Sequence, residues 1–282
     1  LLTLSVVAIW GSNFVVMKHA LGFFTPFWLA CLRFTLAALP LMLLLPRPPV
    51  AWRVLAGYGL LLGVGQFGLL FYALQRDLSP GLASLLVQSQ VFFTLLLAWA
   101  WRGQRLRGLQ LLALALAAAG IAWIGWQLDA AATPLGLGLA LAAGLSWGIA
   151  NLVGQAAGRV DMLAFMVWSS AFAAPVLGLL ALALEGWPAL QAGAAAAGVS
   201  GWAAVLWQSL GNTLYGYGVW GWLLAHHAAG QVVPMALLVP VFGMACSAWW
   251  LGESLPAWKL GGAAMVMAGL LLNTWAARRS LR

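Results

Sequence analysis

Charge is scarce in this sequence. Its 282 residues include five Asp or Glu, 13 Lys or Arg and three His, so that only 6% are Asp, Glu, Lys or Arg. A soluble domain is about a quarter charged. With 64% of residues hydrophobic, a soluble fold of this length would leave far too much apolar surface in water. A soluble enzyme, a nucleic-acid-binding module and a disordered chain are excluded, and a polytopic membrane protein remains. Alternating strands are also lacking. Stretches such as Leu82–Ala100 and Leu109–Ile124 are apolar all round, which argues against a β-barrel. Cysteine is limited to Cys31 and Cys246, in separate apolar runs, which fits plain core packing better than a disulfide or metal pair. The one close histidine pair, His226-His227, has no acid nearby. Adjacent helical residues also point to different faces, so the pair makes poor co-ligands. No metal site and no cofactor are implied, and an intramembrane enzyme is disfavoured for want of a nucleophile with its base. The chain opens at Leu1 without Met, so a few residues are expected before it; no cleavable signal peptide is visible.

What the chain has is apolar helix. About 20 apolar residues cross the hydrocarbon. Proline and glycine punctuation gives ten spans: Leu1–Ala20, Pro26–Leu45, Arg53–Gln75, Pro80–Trp101, Leu106–Trp126, Pro134–Gln155, Met162–Leu184, Gly201–Ala225, Ala228–Leu251 and Pro256–Ala276. The net charge of +8 sits between the spans. Connections two, four, six and the C-terminal end hold Arg47, Arg53, Arg102, Arg105, Arg107, Arg159, Arg278, Arg279 and Arg282, nine of the 13 basic residues. The opposite side holds Lys18, Arg76 and Lys259, with the acids Asp129, Glu185 and Glu253. Basic loops stay in the cytoplasm, so both termini are expected there.

The two halves repeat. Trp10-Gly11 recurs as Trp147-Gly148, and Arg102-Gly103-Gln104-Arg105-Leu106 aligns with Leu251-Gly252-Glu253-Ser254-Leu255. At that offset Gly120 falls on Gly269, and Pro40 and Pro175 sit late in the second span of each half. Five spans per half is odd, so residues 1–127 and 128–282 would enter the membrane from opposite sides. Two inverted five-helix repeats with a site near the midplane are a transporter signature.

These residues resemble the drug/metabolite transporter superfamily, in its ten-helix EamA-type exporters. Trp10-Gly11-Ser12-Asn13-Phe14 is similar to that family's opening segment, and Arg33 matches its second-span Arg. Pro240-Val241 followed by Leu251-Gly252-Glu253 resembles its ninth-span pattern, and Gly261 and Gly269 match its last-span glycines. The first half departs from the pattern with Gln90-Val91 and Gln104, which implies a straighter fourth helix than the ninth. The many tryptophans and the uncharged polar interior look most like the aromatic amino acid exporter branch. The resemblance implies export of neutral or aromatic amino acids from a bacterial-type inner membrane. Other metabolites and cationic drugs are the alternative solutes, and a channel or scaffold is the alternative class; oligomeric state stays open.

Polar groups inside spans are costly and mark cavities. The expected substrate-facing residues are Trp10, Asn13, Gln66, Tyr72, Gln88, Trp147, Asn151, Trp168, Gln208, Asn212 and Tyr215. Amides donate and accept, which suits a zwitterion, and deep indoles can stack on an aromatic solute. The same amides could instead tie helices together. Gly63, Pro175, Pro234 and Pro240 are the expected hinge or gate positions. The fifth and tenth spans, nearly free of polar groups before their ends, are expected at the periphery. Arg33 is read as a structural charge, with pairing to a solute carboxylate as the alternative. No carboxylate or histidine lies at mid-membrane, which points to facilitative exchange rather than tight proton coupling.

Overall fold

The computed structural model describes residues 1–127, 132–227 and 229–279. The expected boundary after residue 127, Ala228, Asp129, the Arg279 side chain and Arg282 lie outside the described residues. Among the described residues there is no strand, only an isolated bridge between Leu78 and Ala132. The main helices are α1 (Leu2–Ala20), α2 (Pro26–Met42), α3 (Trp52–Arg76), α4 (Pro80–Arg102), α5 (Gly108–Trp126), α6 (Pro134–Ala157), α7 (Met162–Glu185), α8 (Gly198–His226), α9 (Val233–Leu251) and α10 (Ala257–Arg279). Seven of these, α3 to α7 with α9 and α10, are long and apolar enough to cross a membrane. A short helix, Trp187–Ala196, meets α8 at a 105° bend, and the pair would make an eighth span. α2 is apolar but only 17 residues long.

Proline opens α2, α4 and α6 within their first turn, where its missing N–H has no partner to lose. The short helix falls between the expected spans Met162–Leu184 and Gly201–Ala225. Its corner is made by Gly198 at φ +52°, a backbone that only glycine adopts without strain.

α4 and α9 end alike. Gly103 and Gly252 are both left-handed, at φ 64° and 66°. In each case the next residue reaches six residues back, the Gln104 N–H donating to Ala98 C=O and the Glu253 N–H to Ser247 C=O, so an orphan carbonyl of the last turns is met in the same way at both ends. Neither helix is α-helical throughout. α4 carries a 3-10 turn at Val87–Ser89, as α9 does at Val233–Leu238, so lack of proline does not leave α4 regular.

Packing runs through small residues. α2 lies against α7, α5 against α10, α1 against α9 and α4 against α6. A β-carbon on Gly11 of α1 would meet Phe242 Cβ at 2.5 Å and Val239 O at 2.6 Å on α9; one on Gly148 of α6 would meet Phe93 Cβ at 2.9 Å on α4. A β-carbon on Gly120 would lie 2.9 Å from Gly262 O, and one on Gly269 2.8 Å from Ala113 O. Without a hydrophobic drive between helices in lipid, such close approach supplies the association energy.

Two long helices change winding at mid-length. α3 is π-helical over Leu60–Gly68 and α8 over Trp207–Tyr215. Insertions of this kind cluster at functional sites. Within α3, Leu61 C=O accepts from Ser146 Oγ of α6 at 2.8 Å.

Carboxylates close one end of the bundle. Glu185 accepts from Thr25 Oγ1 at 2.6 Å, Phe27 N at 2.8 Å and Trp28 N at 3.1 Å, so it caps α2. Glu253 accepts from Ser79 Oγ and Gly81 N at the start of α4, from Ser247 Oγ, and from Lys259 Nζ at 3.0 Å. A helix N-terminus favours negative charge. Lys259, expected as a loop charge, is fully buried in this cluster. Burial alone would raise the Glu253 pKa, but the bonds from Ser247, Ser79, Gly81 and Lys259 outweigh it and hold the carboxyl below the usual carboxylate range.

Candidate functional site: an uncharged cavity between the helices

A cavity of about 480 Å³ lies among α1, α3, α4, α6, α8, α9 and the end of α10, within the usual size range of small-molecule sites. Seven of the expected substrate-facing residues line it: Trp10, Asn13, Gln66, Gln88, Trp147, Asn151 and Asn212. Among the described residues, no charged side chain lines it. Asn151 Nδ2 donates to Gln90 Oε1 at 2.7 Å and to Thr94 Oγ1 at 3.1 Å. Asn13, by contrast, is buried with neither side-chain polar atom bonded, and Gln66 Oε1 is unpaired as well. Buried amides without partners are rare and call for a reason. Trp10 Nε1 donates to Asn212 C=O at 3.1 Å, and its indole sits 5.5 Å from the Tyr217 ring and 5.1 Å from Trp220.

Four expected residues lie elsewhere. Tyr72 is 46% exposed on the outside of α3. Trp168 Nε1 donates to Leu45 C=O at 3.2 Å, and its ring faces Trp52. Tyr215 is exposed, its hydroxyl 2.8 Å from Ser5 Oγ. Gln208 is fully buried with both amide atoms unbonded, yet it does not line the cavity. Gln208 and Asn212 both belong to the π segment of α8, and only Asn212 reaches the cavity.

Further residues outside that set also line the cavity. Tyr58, Phe67, Gln90, Tyr217, Trp220 and Asn273 all face the cavity. Trp220 reads from sequence as an end anchor, although its three-residue spacing from Tyr217 puts both on one face. Asn273 belongs to the tenth helix, which was expected at the periphery. Leu270, Asn273, Thr274 and Ala277 of α10 reach the cavity, while α5 stays outside it. A second space of about 350 Å³ shares Gln90, Asn151 and Asn273 with the first and continues to Gln104, Gln110 and Gln155. That path leads to the end where Arg102 bonds Gln155 and, at 2.9 Å, Leu152 C=O. The opposite end carries the Glu185 and Glu253 clusters.

Of the expected hinge positions, Gly63 lies in the α3 π segment, where a β-carbon would meet Ala173 Cβ at 2.3 Å. Pro175 is inside α7. Pro234 sits in the 3-10 turn of α9, and Pro240 opens the α-helical part that follows. Arg33 is buried at the α2–α8 contact, its Nε donating to Thr213 Oγ1 at 3.2 Å.

The model of the EamA-like transporter family matches residues 1–126 and 134–275. A protein of Salmonella typhimurium (strain LT2) named as a probable amino-acid metabolite efflux pump is 38% identical over 285 residues, covering 98% of this chain and 95% of that one. A protein of Escherichia coli (strain K12) with the same name is 35% identical over 283 residues, with the same coverage. A solved structure described as a crystal structure of a protein superposes with a TM-score of 0.62 at 21% identity, covering 99% of this chain and 97% of that chain.

Proposed function

The chain belongs to the EamA-like transporter family, and from that premise we propose that it exports neutral and aromatic amino acids or closely related metabolites. The observation that carries this reading is the cavity, where amides of Asn13, Gln66, Gln88, Asn151 and Asn212 stand beside the Trp10 and Trp147 indoles, with no charged side chain lining it among the described residues. Amides supply donors and acceptors to a zwitterion, and indoles supply flat apolar faces to its side chain. The names of the Salmonella and Escherichia relatives support the substrate class. A cavity without a carboxylate has little to offer a cationic drug.

The transporter is multi-pass, and the reading gives it ten spans as two inverted five-helix repeats, residues 1–127 and 128–282. The matched caps at Gly103 and Gly252 and the paired contacts of Gly11 and Gly148 support that symmetry. Both termini then face the cytoplasm of a bacterial inner membrane, and the amide-lined path opens inward. Transport is by alternating access and facilitative, a reading supported by a lining that holds no carboxylate or histidine among the described residues. Counterflow into proteoliposomes loaded with unlabelled amino acid tests this. Labelled phenylalanine, tryptophan and threonine are expected to accumulate transiently; accumulation of none of them overturns the reading. Uphill uptake driven by an imposed pH gradient would overturn its facilitative part alone.

A further inference from the structure

We infer that Arg33 is the residue that recognises the carboxylate of the transported amino acid, an assignment that rests on the transport reading above. Arg33 lies in α2 and is fully buried. Its position is fixed from α8: Thr213 Oγ1 accepts from Nε at 3.2 Å, and Ser209 Oγ donates to the Arg33 main-chain carbonyl at 3.1 Å. The rest of the guanidinium meets aromatic faces, Phe67 and Phe34, and no acceptor. Nη1 and Nη2 are buried without a hydrogen-bond acceptor, and Arg33 has no ion-pair partner among the described residues. A guanidinium carries five donors in a rigid fork that matches the two oxygens of a carboxylate. A charge so deeply buried is tolerated only when it is paired.

Phe67 separates this charge from the cavity. The Arg33 Cζ lies 3.8 Å from the Phe67 ring centroid, and Phe67 lines the cavity next to Gln66. Both residues belong to the π segment of α3. A turn of the Phe67 side chain would bring the guanidinium fork to the cavity wall. Among the described residues no acidic group lines that wall, so a guanidinium brought to it selects for a carboxylate. The solute's ammonium then falls to the carbonyl oxygens of the unpaired amides Asn13 and Gln66, and its side chain to the indole of Trp10. A structural arginine would need none of this, but it would need acceptors for its Nη groups.

The assignment predicts discrimination between an amino acid and the amine that lacks its carboxylate. In counterflow, phenylalanine should compete at least about tenfold better than phenethylamine, the worth of one charge-assisted hydrogen-bond pair. R33Q should abolish that preference, and R33K should restore part of it, since a lysine keeps the charge without the fork. A role in packing alone would lower transport of both solutes together. An undiminished preference in R33Q overturns the assignment and leaves the transport reading standing. If R33Q does not fold, the wild type decides, because equal competition by phenethylamine overturns the assignment without any substitution. Absence of counterflow with every amino acid would remove the transport reading and this assignment together.

Discussion

The indole N–H of Trp10 ends on the main-chain carbonyl of Asn212, 3.1 Å away, inside the π-wound part of α8. Ser146 of α6 does the same to Leu61 in the π-wound part of α3. Each widened turn is therefore pinned by a side chain from a neighbouring helix, and those two side chains belong to, or adjoin, the repeated Trp-Gly pair. W10F keeps an aromatic ring, though a smaller one, and removes the donor. We expect a loss of about 1 kcal/mol in stability and a several-fold slower counterflow. Thermal unfolding in detergent and initial exchange rates check both.

Gly11→Ala and Gly148→Ala press a methyl group onto another helix. At Gly11 the obstacle includes main-chain atoms, Val239 O and Gly243 N, so α1 and α9 must part. The cost is expected at about 1–3 kcal/mol, less for Gly148→Ala, whose contacts are looser. Gly138→Ala in α6 meets nothing within 4 Å and should be neutral or stabilising, by up to about 1 kcal/mol. The ranking of three melting points tests the packing directly.

The Glu253 cluster makes stability depend on pH. A carboxyl whose native pKa is depressed contributes stability above its unfolded value and loses it as pH falls through the native one. Thermal stability should therefore hold at neutral pH and drop below the ordinary carboxylate range, about pH 4. E253Q should flatten that acid limb. It should also cost about 3 kcal/mol at pH 7, because it leaves the buried Lys259 charge unpaired. A pH series of melts on both proteins reads the difference.

Asn13 and Asn151 separate binding from architecture. Asn13 has no internal hydrogen bond to lose, so N13A should leave the melting point in place. It should raise the half-saturation concentration for phenylalanine about tenfold, the worth of one buried amide contact. N151A loses its bonds to Gln90 and Thr94 and should destabilise by about 1 kcal/mol, the usual worth of interhelical polar contacts.

Much of the helical frame was legible. Pro80 and Pro134 open their helices where the sequence puts them, and Gly103 closes α4 as its alignment with Gly252 implies. Punctuation is local, so it survives without the fold. Facing is not local. These helices are apolar on every side, which leaves no polar stripe to say that Asn13 looks inward and Tyr72 outward. The π segments shift facing again and leave no residue signature beyond their glycines. The roles of Glu185 and Glu253 were hidden for another reason: each caps a helix more than 150 residues away in the chain.

A π segment holds about one residue more per turn than the helix on either side. Shifting that surplus along by one position spins the side chains it passes about the axis, while both ends of the rod stay where they are. In α3 and α8, then, hydrogen-bond register within the helix sets where Gln66 and Asn212 point, apart from the loops at either end.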